Sequence, residues 1–216
     1  MSKNGIASSK VKDKNLEFQA AIAALKRGEV IVFPTETLYG LGADALDSAA
    51  VERVFQLKGR DAANPISVLV ADRTMLSTMV DQVPPLAEKL IAQFWPGPLT
   101  LVLPAKKDLS KRLVNASGGV GVRISSAPIA TQLVRELGKP VTATSANPSG
   151  KTPARKIEQA RAYFSGAIRV FMDGGELHSI VGSTVAEISG DSVRVIREGE
   201  IDKAALERVI GQKKVV

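Results

Sequence analysis

Apolar positions recur along this chain at two spacings. Leu16, Ala20, Ala23 and Ala24 fall on one helical face, which predicts a helix over Leu16–Arg27 ended by Gly28. The run Val30–Phe33 reads as a buried strand stopped by Pro34. The segment "TETLYGLGADA" that follows is polar and glycine-bearing. Ser48 then reads as the N-cap of a helix through "AAVERVFQLK", with Gly59 suited to its C-terminal cap. Pro65–Ala71 predicts a strand, and helices are expected at Thr74–Val80 and Pro84–Phe94. "WPGP" is a rigid turn into the strand "LTLVLP". Gly119–Ile124 is a further strand, Pro128–Leu137 a helix, "PVTATS" a strand and Ile157–Phe164 a helix. Strands "AIRVFM", "STVAEI" and "SVRVIR" and a helix over about Asp202–Ile210 complete the chain. Strands alternate with helices, which predicts an α/β fold with antiparallel strands added late.

At 216 residues and 44% hydrophobic, the chain can bury one sizeable core, and a single domain is expected. Aromatics are only 4%, so aliphatic side chains must fill that core. The longest apolar runs are too short to span a bilayer, and the polar N-terminus lacks the apolar stretch of a signal peptide. With no cysteine there is neither a disulfide framework nor a thiolate metal site. These features fit a cytoplasmic protein with no membrane role.

The formal charge is +7, but it is concentrated at the ends. Residues 1–14 carry four lysines against Asp13, and Lys213 and Lys214 add two more charges, so the body between them is close to neutral. The expected organisation is a flexible basic tail at 1–14, a single folded domain at 15–211 and a basic C-terminal tail at 212–216. Basic tails attract RNA and also simply solubilise, so direct binding of tRNA or double-stranded RNA stays open.

The candidate chemistry narrows by elimination. "GKT" at Gly150–Thr152 resembles the end of a P-loop, but the glycine required five residues before Gly150 is Ser145. A single histidine, His178, makes a protein-built metal site improbable, and no metal ligands are assigned. A Ser-His-Asp triad would need that same residue, and no G-x-S-x-G elbow accompanies it. What remains is a set of short polar segments at strand and helix ends. They are "PTET", "KGR", "VRI", "TSAN", "GST" and "IRE". In open α/β sheets ligands collect at the carboxyl ends of strands. Cations such as Lys58, Arg60, Arg123 and Arg197, with hydroxyls and amides such as Ser145 and Asn147, make a cradle for phosphates and carboxylates. Each residue alone is equally well explained as a turn or cap.

Taken together and in order, "FPTETLYGLGADA", "KGRDAANPISVLV", "FWPGPLTLVL", "GVGVRI", "TATSANPSG" and "GSTVAEI…VRVIREG" are similar to one family. From about Leu16 to Ile201 the chain resembles the YrdC-like threonylcarbamoyl-AMP synthases, in a short, single-domain form. The resemblance implies a twisted, mixed open sheet with flanking helices around a basic cavity. It implies conversion of L-threonine, bicarbonate (or CO2) and ATP to threonylcarbamoyl-AMP and pyrophosphate, with Mg2+ accompanying the nucleotide. Downstream partners would be the proteins that transfer the threonylcarbamoyl group to adenosine-37 of tRNA. Residue by residue, it assigns Lys58, Arg60, Ser145 and Asn147 to catalysis and to the nucleotide. Asn64 and Arg197 join them on the nucleotide side, and Thr35, Arg123 and Ser183 fall to threonine. Trp95 is expected in a packed corner, and Glu36 stays outside the assigned set.

The chain departs from the family pattern at Asp61, Leu69 and Gly182. Asp61 bears on phosphate attraction, while Leu69 and Gly182 bear on the threonine side. A carbamate is already an anion, so the implied reaction needs alignment and charge stabilisation rather than a protein nucleophile. Ser145, Asn147 and nearby backbone N–H groups are expected to position phosphate oxygens. Other readings remain: an RNA-binding module of this fold, a paralogue with another substrate, or a carbamoyl-transfer domain.

Overall fold

The computed structural model describes residues 4–61, 63–211 and 214–216, with side chains from residue 15 onward. Of the two expected tails, residues 1–3, 212 and 213 and the side chains of 4–14 lie outside the described residues. The first helix, α1 (Asn4–Lys26), begins well before the apolar pattern does. β1 (Ile31–Pro34) follows and is wholly buried. It turns back into β2 (Tyr39–Gly42), a strand that the glycine-rich sequence did not suggest. The cause is local packing. A Cβ built on Gly42 would sit 2.8 Å from the Phe33 ring, so the missing side chain admits that ring onto the strand.

α2 (Ser48–Lys58) starts one residue earlier in effect than expected. Its N-cap is Asp47, whose carboxylate accepts from the N–H groups of Ala49 and Ala50, rather than Ser48. Gly59, in the left-handed region, ends it as expected. β3 is only Val68–Leu69. α3 (Arg73–Met79) and α4 (Pro85–Phe94) precede β4 (Leu99–Pro104) and β5 (Gly119–Arg123). α5 (Pro128–Leu137) and α6 (Ile157–Phe164) have the expected bounds. Between them lie β6 (Val141–Thr142) and β7 (Thr144–Ser145). The expected strand "AIRVFM" is not one. Its backbone meets β1 only through two hydrogen bonds flanking Phe171, from Val32 N–H to Val170 O and from Met172 N–H to Val32 O. β8 (Thr184–Ser189), β9 (Ser192–Arg197) and α7 (Lys203–Ile210) finish the fold. Val215 is buried and pairs with Val193 of β9.

The strands form two sheets. One has the order β1-β2-β7 and is antiparallel; the other is a mixed sheet of order β6-β3-β5-β4-β8-β9. The segment 141–145 belongs to both. Val141 and Thr142 pair with β3, and two residues later Thr144 and Ser145 pair with β2. Thr142 also exchanges bonds with Ala43, which ties the sheets at the crossing. The largest apolar cluster packs α2, α4, α6 and α7 on the sheets, and a second one packs α1 and α5 on β1. The result is a mixed α/β architecture with helices flanking the sheets. No helix among the described residues is long and apolar enough to cross a membrane.

Candidate functional site

Where the two sheets diverge around the crossing strand, they leave a cavity of about 740 Å3. Seven sequence-predicted residues line it: Thr35, Arg60, Asn64, Arg123, Ser145, Ser183 and Arg197. They come from six separate segments, so the fold assembles the site from distant pieces. Arg194 adds a fourth guanidinium, and no carboxylate is among the lining residues. Such a wall favours anions. A smaller concavity of about 570 Å3 contains none of the predicted residues. Its Arg27 is paired with Glu29, and its Arg53 bonds the Gly28 carbonyl.

Lys58 and Asn147 stand behind the wall rather than on it. Lys58 is almost fully buried at the end of α2. Its Nζ donates to Ser145 O at 2.6 Å, Asn147 O at 2.8 Å and Asn147 Oδ1 at 3.3 Å. Those three oxygens match the three N–H bonds of an ammonium. Burial opposes them and, with help from the nearby Arg60 charge, pushes the Lys58 pKa down to about 7. Asn147 Nδ2 donates to Pro148 O and Lys151 O. The pair therefore braces the turn that presents Ser145.

The backbone N–H groups of that turn are already engaged. Ala146 N–H donates to Tyr39 O, Asn147 N–H to Ser145 O and Ser149 N–H to Lys58 O. The expected backbone cradle is thus spent inside the protein, and the Ser145 hydroxyl is what the turn offers to the cavity. Arg60, next to the left-handed Gly59, is held by Asn64 O at 2.7 Å and Pro65 O at 3.3 Å. Asp61 does not compete for it. Its carboxylate accepts from Ala63 N–H instead.

At the other end, Arg123 on β5 is buried and ion-paired with Glu36 at 2.6 Å. Ser125 Oγ donates to the second Glu36 oxygen. Burial lowers the Arg123 pKa and Glu36 opposes the change, which leaves the guanidinium charged. Thr35 Oγ1 donates to Leu38 O at 2.7 Å and accepts from the N–H groups of Thr37 and Leu38, so it closes its own turn. Ser183 Oγ lies 3.0 Å from Thr100 Oγ1. Arg197 Nη2 donates to Ser183 O at 2.7 Å and to its hydroxyl at 3.3 Å. Desolvation lowers the Arg197 pKa, as do the like charges of Arg123 and Arg60, which is the electrostatic sign that these three cations converge.

Of the departures from the family pattern, Leu69 is buried in the second core cluster and does not face the cavity. Gly182 does, at a φ of 79°. His178 is exposed and off the site. Trp95 is a packed corner residue whose Nε1 donates to Leu99 O. Sequence reasoning missed Arg194, Asn115 and Ser117. Asn115, Ser117 and Arg194 all bond Glu187, which anchors this wall from behind. The alternation of "VAEI" and "SVRV" across a hairpin is the one signal that pairs Glu187 with Arg194.

A mixed sheet whose strand-end loops gather guanidinium and hydroxyl groups around one hollow defines an α/β protein with an arginine-lined cavity. The family model for Sua5, YciO and YrdC, described as "Telomere recombination", matches residues 23–199. The chain belongs to this family. It is 42% identical over 192 residues to the threonylcarbamoyl-AMP synthase of Bacillus subtilis, covering 88% of this chain and 56% of that relative. A protein of Mycobacterium tuberculosis described as a putative threonylcarbamoyl-AMP synthase is 38% identical, covering 89% of this chain and 88% of the relative. Among solved structures, Pyrococcus abyssi Sua5 complexed with L-threonine superposes with a TM-score of 0.87 at 37% identity, over 92% of this chain and 58% of that one. Escherichia coli YciO superposes with a TM-score of 0.80 at 28% identity, over 89% and 93%. The chain spans 56% and 61% of the length of the Bacillus subtilis and Pyrococcus abyssi synthases.

Proposed function

We propose that this chain makes L-threonylcarbamoyladenylate from L-threonine, bicarbonate or CO2, and ATP, releasing pyrophosphate. The observation that carries the reading is the meeting of Arg60, Arg197, Ser145 and Arg123 on one cavity wall free of carboxylates. The threonine amine adds to CO2 and loses a proton, giving a carbamate. A carbamate oxygen then bonds to the α-phosphorus as the bond from that phosphorus to the β-phosphate oxygen breaks, and pyrophosphate leaves. Arg60 and Arg197 stabilise charge on the phosphates, Ser145 Oγ orients a phosphate oxygen and Asn64 lies on the same side. Arg123 receives the threonine carboxylate, near Thr35 and Ser183. Holding two reactants in line is worth up to ~7–11 kcal/mol of barrier.

Mg2+ would arrive on the ATP phosphates as part of the substrate. The described residues contain no group of three or more His, Cys, Asp or Glu that could hold a metal by themselves. The product is a reactive mixed anhydride, so we place a tRNA-directed threonylcarbamoyl-transfer protein immediately downstream, in the cytoplasm. Direct binding of tRNA or double-stranded RNA would rest on the clustered basic residues at the chain ends. The test is incubation with ATP, bicarbonate and labelled threonine, with each omitted in turn. Pyrophosphate and a threonylcarbamoyl adenylate should form only in the complete mixture. Pyrophosphate release that ignores threonine, or none at all, overturns the reading.

A further inference from the structure

The cavity must receive two ligands of different charge. ATP is a polyanion and an amino acid is a zwitterion, yet the lining carries four guanidinium groups. Two of them have carboxylate partners: Arg194, which is exposed, pairs with Glu187, and Arg123 is buried with Glu36. Arg60 is held only by main-chain oxygens, and Arg197 only by Ser183. Arg123 instead has a full counter-charge, Glu36, at 2.6 Å, with one pair member 6% and the other 15% exposed at the side chain. Glu36 itself does not line the cavity. Its second oxygen is held by Ser125.

We propose that Glu36 is a positioning residue that makes the Arg123 end of the cavity electrically neutral, so that this end takes a zwitterionic amino acid and refuses a phosphate group. This rests on the proposed function of the cavity. Glu36 occupies Nη1 of Arg123, which leaves Nη2 for an incoming carboxylate. A fixed guanidinium needs no reorientation when that carboxylate arrives. The pair has no net charge, so polyphosphate gains little by settling there. It goes to Arg60 and Arg197, whose charges are uncompensated. Specificity here comes from weakening the wrong ligand as well as holding the right one. A purely structural pair would also bury Arg123, but it would leave anion selectivity untouched when neutralised.

Two variants separate the position of Glu36 from its charge. Glu36→Gln keeps the shape and removes the charge. It should raise the threonine KM by about tenfold or more with a smaller change in kcat. It should also bind pyrophosphate severalfold more tightly in calorimetry, because Arg123 becomes a free anion site. Ser125→Ala keeps every charge and frees one Glu36 oxygen. It should raise the threonine KM with pyrophosphate affinity at the wild-type level. This second variant carries the test if Glu36→Gln does not fold. Unchanged threonine KM in a folded Glu36→Gln protein, or unchanged pyrophosphate affinity in it, overturns the proposal. So does tighter pyrophosphate binding by Ser125→Ala. Wild-type protein that releases no pyrophosphate in response to threonine counts against the proposed activity alone, since the pyrophosphate measurement still reads the charge of Arg123.

Discussion

Lys58 and Asn147 are bonded twice. One ammonium donates to both the main-chain and the side-chain oxygen of the same asparagine, 89 residues away in sequence. Through Ser145 O it also fixes the residue whose hydroxyl faces the cavity. These two residues act on the site from behind, by holding a turn still.

Their variants should therefore be non-additive. Lys58→Met and Asn147→Ala should each lower kcat/KM by about ten- to a hundredfold, the scale of a lost charge-assisted bond. The double variant should cost little more than the worse single one, because both hold one turn. Steady-state kinetics on the four proteins of the cycle decide this. Additive losses would mean that the two residues act separately.

Lys58 should also leave a mark on stability as a function of pH. In the unfolded chain its amine keeps a proton up to its ordinary value of 10.5, while in the native protein burial brings the pKa to about 7. Between those values the unfolded state binds more protons, so stability rises with pH. Relative to Lys58→Met, the wild type should gain about 2 kcal/mol between pH 7 and pH 9. Urea denaturation at both pH values measures the difference, and a flat difference would show that the three surrounding oxygens keep the ammonium charged.

Arg60→Ala and Arg197→Ala should each raise the ATP KM by about tenfold or more, with a smaller effect on the threonine KM. Both should also weaken the dependence of ATP binding on ionic strength, since each removes a cation from the wall. Calorimetric titration at low and high salt checks both effects.

Gly182 has a φ of 79°, and a Cβ there would approach Leu38 Cδ1 to 3.2 Å. Gly182→Ala should cost about 1–2 kcal/mol of stability through backbone strain, and it should disturb the adjacent Ser183–Arg197 contact. Urea denaturation and the ATP KM report the two effects separately.

At the start of α2 the cap is a carboxylate. Asp47→Ala should cost about 1 kcal/mol, and Ser48→Ala should cost almost nothing. Equal losses would return the cap to Ser48.

What was legible in the chain was whatever local forces decide. α5 begins at a proline and ends at Gly138, and its apolar spacing is unbroken, so its bounds were readable. β2 was not, because its glycines serve the Phe33 ring across the sheet, and that neighbour is invisible in the local pattern. "AIRVFM" has strand composition but meets β1 only in a short bridge. The motifs pointed to strand-end segments meeting at one hollow, and seven of the nine named residues line a single cavity. The division between residues that face the cavity and residues that brace it was hidden, since Lys58 acts mainly on backbone oxygens, which no side-chain motif records. Glu36 was passed over for a similar reason. Its meaning comes from Arg123, 87 residues further on.

The segment 141–145 serves two sheets within five residues, with Ala143 as the only step between them. An insertion or deletion there would turn Thr144 and Ser145 to opposite faces while Val141 stayed anchored, and the hydroxyl would leave the hollow. Length variation among descendants of this chain should therefore accumulate in exposed turns such as residues 189–191 and spare this crossing. The spacing between Val141 and Ser145 is in that sense a ruler, and a genome survey of this family can read it without any enzyme assay.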